Sequence, residues 1–217
     1  MGERSPSTLV VTEANRDAVN LLQCWRRWPG GALALVGPPG AGKTHLGLAW
    51  AVETGARQLR ADAAPEQAAT AFDEGGGCVF VDDASGVGNE AMLWRLLDLA
   101  RSQAGAVLLA ASAPPEAWRV ASPDLASRLT ALPVARLYEP DEALLNLVLR
   151  RICREQFIQL SDSAANYLVP RMPRTFAAAR EIAAVLDAEL KRGSRPVTVK
   201  AAKDALEKAQ TVWSGDG

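Results

Sequence analysis

The stretch Gly37-Pro38-Pro39-Gly40-Ala41-Gly42-Lys43-Thr44 constrains this chain more than any other part of it. It fits the pattern G-x-x-x-x-G-K-[ST], and it stands directly after the apolar run ALALV (Ala32–Val36) and at the head of a helical stretch. A strand that ends in a glycine-rich turn and opens a helix can hold an anion. The glycines let successive N–H groups face inward around phosphate oxygens. The helix N-terminus adds partial positive charge at the same point. Lys43 would then reach the β- and γ-phosphates of a nucleotide, and the Thr44 hydroxyl would ligate Mg²⁺.

Such a loop needs an alternating architecture around it, and the sequence supplies one. Apolar runs predict strands at Ala32–Val36, Cys78–Val81 and Ala106–Ala110, and weaker patterns predict two more at Arg57–Arg60 and Val134–Leu137. Between them, helices are expected over Thr44–Glu53, Pro65–Asp73 and Asn89–Ala104. The last of these has Met92, Leu93, Leu96, Leu97 and Ala100 at helical spacing. Strands alternating with helices predict an α/β fold with a five-stranded, mostly parallel sheet covered on both faces. After Glu139–Pro140 only helical patterns remain. Leu144, Leu145, Val148, Leu149 and Ile152 form one apolar face, and Phe176, Ala179, Ala183, Leu186 and Leu190 form another. Gly193 and Pro196 close that second helix, and Thr198 caps a last one reaching about Ala209. Ser161 or Asp162 caps a helix that follows Gln159-Leu160. The expected organisation is an α/β domain over residues 1–140, a helical lid over 141–212 and a short tail over 213–217.

Composition narrows the partners. Lys and Arg total 24 against 25 for Asp and Glu, so the net charge is -1, and no basic tract stands out. Binding DNA through its phosphates needs a clustered positive excess, so direct sequence-specific DNA binding is not expected. No run approaches the ~20 apolar residues of a membrane span. The first residues show no export signal, and a cytoplasmic location is expected. Three dispersed cysteines and one histidine make a zinc site unexpected and leave the thiols buried or idle.

Further residues carry chemistry. The strand Cys78–Val81 runs into Asp82-Asp83, and two acids at the end of a buried strand call for a positive partner. Asp82 fits a Mg²⁺-holding acid, and Asp83 would orient the attacking water. Asp is one methylene shorter than Glu at that place, so slow hydrolysis is expected. The single histidine, His45, follows Thr44 on the first turn of the loop's helix, where a structural or tuning role is expected. Arg128, in Ser122-Pro123-Asp124-Leu125-Ala126-Ser127-Arg128-Leu129, is a candidate arginine finger supplied in trans. Arg174, after Met172-Pro173, heads a predicted helix and is a second candidate phosphate-reading cation.

Together these pieces resemble the AAA+ ATPases, in the clade of the bacterial replication initiator DnaA and its Hda relatives, over about residues 8–212. GPPGAGKTHL is similar to the family's phosphate loop, His45 included. VFVDD is similar to its Walker B strand, and SPDLASRL to its arginine-finger segment. The resemblance makes Arg174 a sensor 2 residue. Ala110-Ala111-Ser112-Ala113-Pro114-Pro115 resembles the sensor 1 strand end, with Ser112 as the polar candidate because Ala113 stands where relatives often carry Asp. Thr12-Glu13-Ala14-Asn15-Arg16 resembles the N-terminal box on the adenine side, which makes Asn15 a nucleotide contact.

The resemblance implies a P-loop ATPase fold that binds ATP or ADP with Mg²⁺. The initiator's C-terminal DNA-binding domain has no counterpart in the sequence, and only Ala61–Gly77 stands where the initiator inserts a DNA-touching helix. The implied function is therefore Hda-like: regulation of replication initiation by stimulating ATP hydrolysis by DnaA. The polymerase sliding clamp is a further implied partner, although residues 1–11 show no clamp-gripping peptide. Assembly with copies of itself stays open. Two alternatives also stay open: an IstB/DnaC-like helicase loader or transposition-associated ATPase, and a passive nucleotide-sensing scaffold.

Overall fold

Runs of apolar residues long enough to be covered on both faces build the centre of the structure. The computed structural model describes residues 11–86, 90–189 and 196–215. Five strands, β1 (Ala32–Val36), β2 (Arg57–Arg60), β3 (Cys78–Asp82), β4 (Ala106–Ala111) and β5 (Val134–Arg136), form one sheet in the order β2-β3-β4-β1-β5. Every pairing is parallel, so the sheet is wholly and not merely mostly parallel. β1 and β4 are buried along their entire length, as a central pair covered on both sides must be. β2 lies at one edge and exposes Arg57, Gln58 and Arg60, which blunts that edge against pairing with another chain.

Parallel strands need crossover connections, and helices supply them. The helices α1 (Arg16–Gln23), α2 (Lys43–Thr54), α3 (Pro65–Glu74), α4 (Glu90–Ser102) and α5 (Pro123–Thr130) divide between the two faces of the sheet. Strand alternation decides which residues meet which helices. Val79, Val81, Val107 and Leu109 face a core built with α3, α4 and α5, through Phe72, Leu93, Leu96, Leu125 and Leu129. Leu33, Leu35, Phe80 and Leu108 face a second core built with α1 and α2, through Leu22, Leu46 and Trp50. Close approach of α2 to β3 depends on Gly47. A methyl group there would lie 2.2 Å from the Phe80 ring, and Phe80 is fully buried.

The chain divides into two compact units, Met1–Tyr138 and Glu139–Gly217. The second contains α6 (Glu142–Glu155), α7 (Asp162–Leu168), α8 (Phe176–Glu189) and α9 (Val199–Gly215). Leu145, Leu149, Leu168, Ile182, Leu186 and Leu206 meet in its core. Ser161 is the cap of α7: its Oγ accepts the N–H of Ala164 at 3.2 Å and donates to the Val197 carbonyl at 2.6 Å. Asp162 instead pairs with Arg150 at 2.9 Å.

Several boundaries differ from the sequence expectation. α1 has no counterpart in it, because RDAVNLLQ is short and buries only Ala18, Val19 and Leu22. α8 starts at Phe176 and not at Arg174, because Thr175 Oγ1 accepts the N–H of Ala178 and so caps the helix there. α9 runs past Ala209 to Gly215, carried on by Trp213, which packs against the core one turn beyond Ala209. Asn89, Leu190 to Arg192, Gly193 and the first ten residues lie outside the described residues. Among the described residues no helix is long and apolar enough to cross a membrane.

Candidate functional site

In a parallel sheet all strands end at the same edge, and that edge carries the glycine-rich loop, Asp82, Asp83 and Ser112. Arg60 pairs with Asp82 in register, and Val36 pairs with Ala111. The loop Gly37–Gly42, Asp82, Asp83 and Ser112 therefore follow the C-terminal ends of neighbouring strands. A crevice outside those ends is where open α/β sheets take ligands. The Gly37 N–H donates to the Ala111 carbonyl at 3.3 Å, which ties the start of the loop to the end of β4. Gly40 and Gly42 have φ of 78° and 94°, in the left-handed region where a side chain is costly. Gly42 precedes the first residue of α2, so the turn delivers the chain straight into the helix. The first-turn N–H groups of a helix have no acceptor within it, and here they head the loop.

Lys43 folds back over this loop. Its ammonium donates to the carbonyls of Gly37 at 2.7 Å and Pro38 at 3.0 Å. Burial holds its pKa below the ordinary lysine value, while the negative charges of Asp82 and Asp83 pull it back up. Both carboxylates are thus electrostatic neighbours of the lysine. The Asp82 carboxylate also accepts the N–H of Asp83 at 3.1 Å. Asp83 itself has φ 53°, an uncommon conformation that Asp tolerates better than most residues. It is exposed, whereas Asp82 is half-buried.

The donor set suits a small hard cation. The exposed Thr44 hydroxyl and the Asp82 carboxylate are oxygen ligands, and Mg²⁺ takes one or two protein oxygens and completes its shell with phosphates and water. Among the described residues no cluster of three or more His, Cys, Asp or Glu exists that would form an all-protein metal cage.

The remaining candidates divide. Ser112 is exposed, one residue beyond β4. His45 is half-buried on the first turn of α2. The Asn15 side-chain oxygen accepts the N–H of Thr12 at 2.9 Å and closes the turn that leads into α1. Arg174 belongs to the helical unit, in the bend before α8, where it pairs with Glu142 at 3.4 Å. Both partners are more than half exposed, so the pair is weak and readily exchanged. Arg128 lies near the end of α5 with its guanidinium carbon 4.0 Å from the centroid of the Trp94 ring. Trp94 and Glu90, whose carboxylate accepts N–H groups from Ala121 and Ser122, went unremarked in the sequence. Their partners lie more than 30 positions away, and no local pattern marks such a pair.

No family model matches the chain, and no curated protein matches it. Its structure is similar to domain III of the replication initiation protein DnaA of Thermotoga maritima, with a TM-score of 0.74, 17% identity, and coverage of 94% of this chain and 96% of that one. It is also similar to AMPPCP-bound DnaA from Aquifex aeolicus, with a TM-score of 0.70, 15% identity, and coverage of 96% and 70%. A third similar structure is the Holliday junction branch migration motor RuvB of Thermotoga maritima, with a TM-score of 0.71, 19% identity, and coverage of 95% and 72%. At these identities the likeness is one of fold. The chain has the AAA+ P-loop α/β fold, with a helical C-terminal portion.

Proposed function

We propose that this chain is a nucleotide-holding AAA+ regulator of chromosome replication that acts on the initiator DnaA in the manner of Hda. It stimulates ATP hydrolysis by the initiator and so prevents over-initiation. The observation that carries this reading is the separation of two charged elements by the sheet. Leu125 and Leu129, which anchor the helix of Arg128, lie in the core on one face. Leu46 and Trp50 of the phosphate-loop helix lie in the core on the other face. A guanidinium based on the far face fits action on a nucleotide other than the chain's own. The Arg57–Asp82 region supports the same reading, since α3 alone bridges β2 and β3 where the initiator has its DNA-touching insertion.

The chain's own loop would hold ATP or ADP, with Lys43 as the phosphate cation and Gly37 to His45 as the cradle. Thr44 and Asp82 would hold Mg²⁺, which neutralises charge on the phosphates. Asp83 orients water for a slow intrinsic hydrolysis. Asn15 and Ser112 would complete the nucleotide contacts of this unit, and the sliding clamp is the second partner. In this reading the α/β domain ends near residue 140 and the helical domain near residue 212.

The test is ATP turnover by purified initiator–ATP with clamp, DNA and this protein loaded with ADP. Faster hydrolysis than with the initiator alone is expected, and Arg128→Ala should abolish it while leaving nucleotide binding intact. No acceleration would overturn the reading. A gel shift on single-stranded DNA at physiological salt, if positive, would favour a helicase loader instead.

A further inference from the structure

One face of α4 holds both Arg128 and the start of the helix that carries it. Its guanidinium lies over the Trp94 ring. Trp94 is half-buried and packs against the core on that side of the sheet, so the ring is a fixed platform. Glu90 is one helical turn earlier on the same face. Its carboxylate accepts the N–H of Ala121, and that of Ser122 at 3.1 Å. Ser122 in turn caps α5, its Oγ accepting the N–H of Leu125 at 3.3 Å. Glu90 therefore fixes where the helix begins, and Trp94 fixes where the side chain near its end lies.

We infer that Trp94 and Glu90 are positioning residues for Arg128, and that they preorganise its guanidinium as the contact for the phosphate oxygens of a partner's nucleotide. This rests on the proposal that Arg128 acts in trans. A cation–π contact with the ring face consumes none of the guanidinium N–H donors, which stay available for a bidentate contact with phosphate. An ion pair would consume those donors. Among the described residues the ion pairs do not include Arg128. Arginine also has many rotamers, and the platform removes that freedom before docking instead of during it.

The experiment uses the full chain in two measurements. The first is stimulated ATP hydrolysis by initiator–ATP, titrated with wild type, Trp94→Leu, Trp94→Phe and Glu90→Gln. Trp94→Leu should lower the maximal stimulation about tenfold, the size of a partly desolvated cation–π contact. The half-saturating concentration should change little, and Trp94→Phe should restore most of the loss. Glu90→Gln should lower the same maximum by a smaller factor. The second measurement is the NMR signal of the Arg128 side chain in the free protein. A ring-current shift should be present in wild type and Trp94→Phe and absent in Trp94→Leu. Undiminished stimulation by Trp94→Leu, or no ring-current shift in wild type, overturns the platform. Wild type that never stimulates overturns the functional reading instead, and the NMR result separates the two failures.

Discussion

The Lys43 ammonium lies 2.7 Å from the carbonyl oxygen of Gly37, the first residue of its own loop. With Pro38 as a second acceptor, the side chain is directed back across the loop and not out into solvent. The glycine-rich turn thus positions its own cation.

Lys43→Ala should remove the only charged side chain within the loop. Nucleotide affinity is expected to fall by roughly two to three orders of magnitude, the range for removing one member of a close charge pair. Calorimetric titration with ADP and Mg²⁺ would measure it. Affinity within a factor of three of wild type would contradict the assignment of Lys43 to phosphate.

Gly47→Ala should destabilise the protein, because the new methyl would stand 2.2 Å from the buried Phe80 ring. Overpacking of this kind costs about 1–3 kcal/mol. In a chain of this size that lowers the melting temperature by about 2–4 °C per kcal/mol. Adding Phe80→Leu makes room, so the double variant should melt higher than the sum of the two single effects predicts.

The strands and the loop were legible because their signals are local. ALALV, CVFV and AVLLA are continuous apolar runs, and the loop's residues are adjacent in sequence. Asp82 and Asp83 were legible for the same reason. The start of α8 was not, since Arg174 and Phe176 differ only in which side of the Thr175 cap they occupy. The grip of Glu90 on Ala121 and Ser122 and the seat of Arg128 on Trp94 needed the fold, because α4 and α5 meet only after β4 has crossed the sheet.

Two stacked tryptophans offer a test of buried polarity. Trp28 and Trp50 lie with ring centroids 5.4 Å apart. Trp28 Nε1 donates to the Leu21 carbonyl at 2.8 Å, whereas Trp50 Nε1 is buried without a hydrogen-bond partner. Both Trp→Phe changes lose volume, but Trp50→Phe also removes an unsatisfied donor, worth about 1–3 kcal/mol. Trp50→Phe should therefore cost less stability than Trp28→Phe in chemical denaturation. The reverse order would contradict this account of Trp50.

The cysteines should report folding by their reactivity. Cys24 is exposed, while Cys78 and Cys153 are buried. Burial pushes the Cys153 thiol up to about 11 and raises that of Cys78 as well. A thiol reagent at pH 8 should label Cys24 quickly and the other two only on unfolding. A raised thiol pKa means that the folded state keeps its proton while the unfolded state loses it. Stability of the helical unit should then decline as pH rises from about 9 to about 11, by at most about 1.4 kcal/mol per pH unit from this group. Cys153→Ala should flatten that slope.

The strand β4 has a part on both sides of the sheet. Its last residue, Ala111, receives the N–H of Gly37 at the base of the phosphate loop. The chain then closes a turn, with Trp118 Nε1 donating to the Ala113 carbonyl at 2.8 Å, and enters α5 with Arg128. The backbone that anchors the phosphate loop is thus continuous, through one turn, with the helix that carries the arginine, although their side chains pack on opposite faces of the sheet.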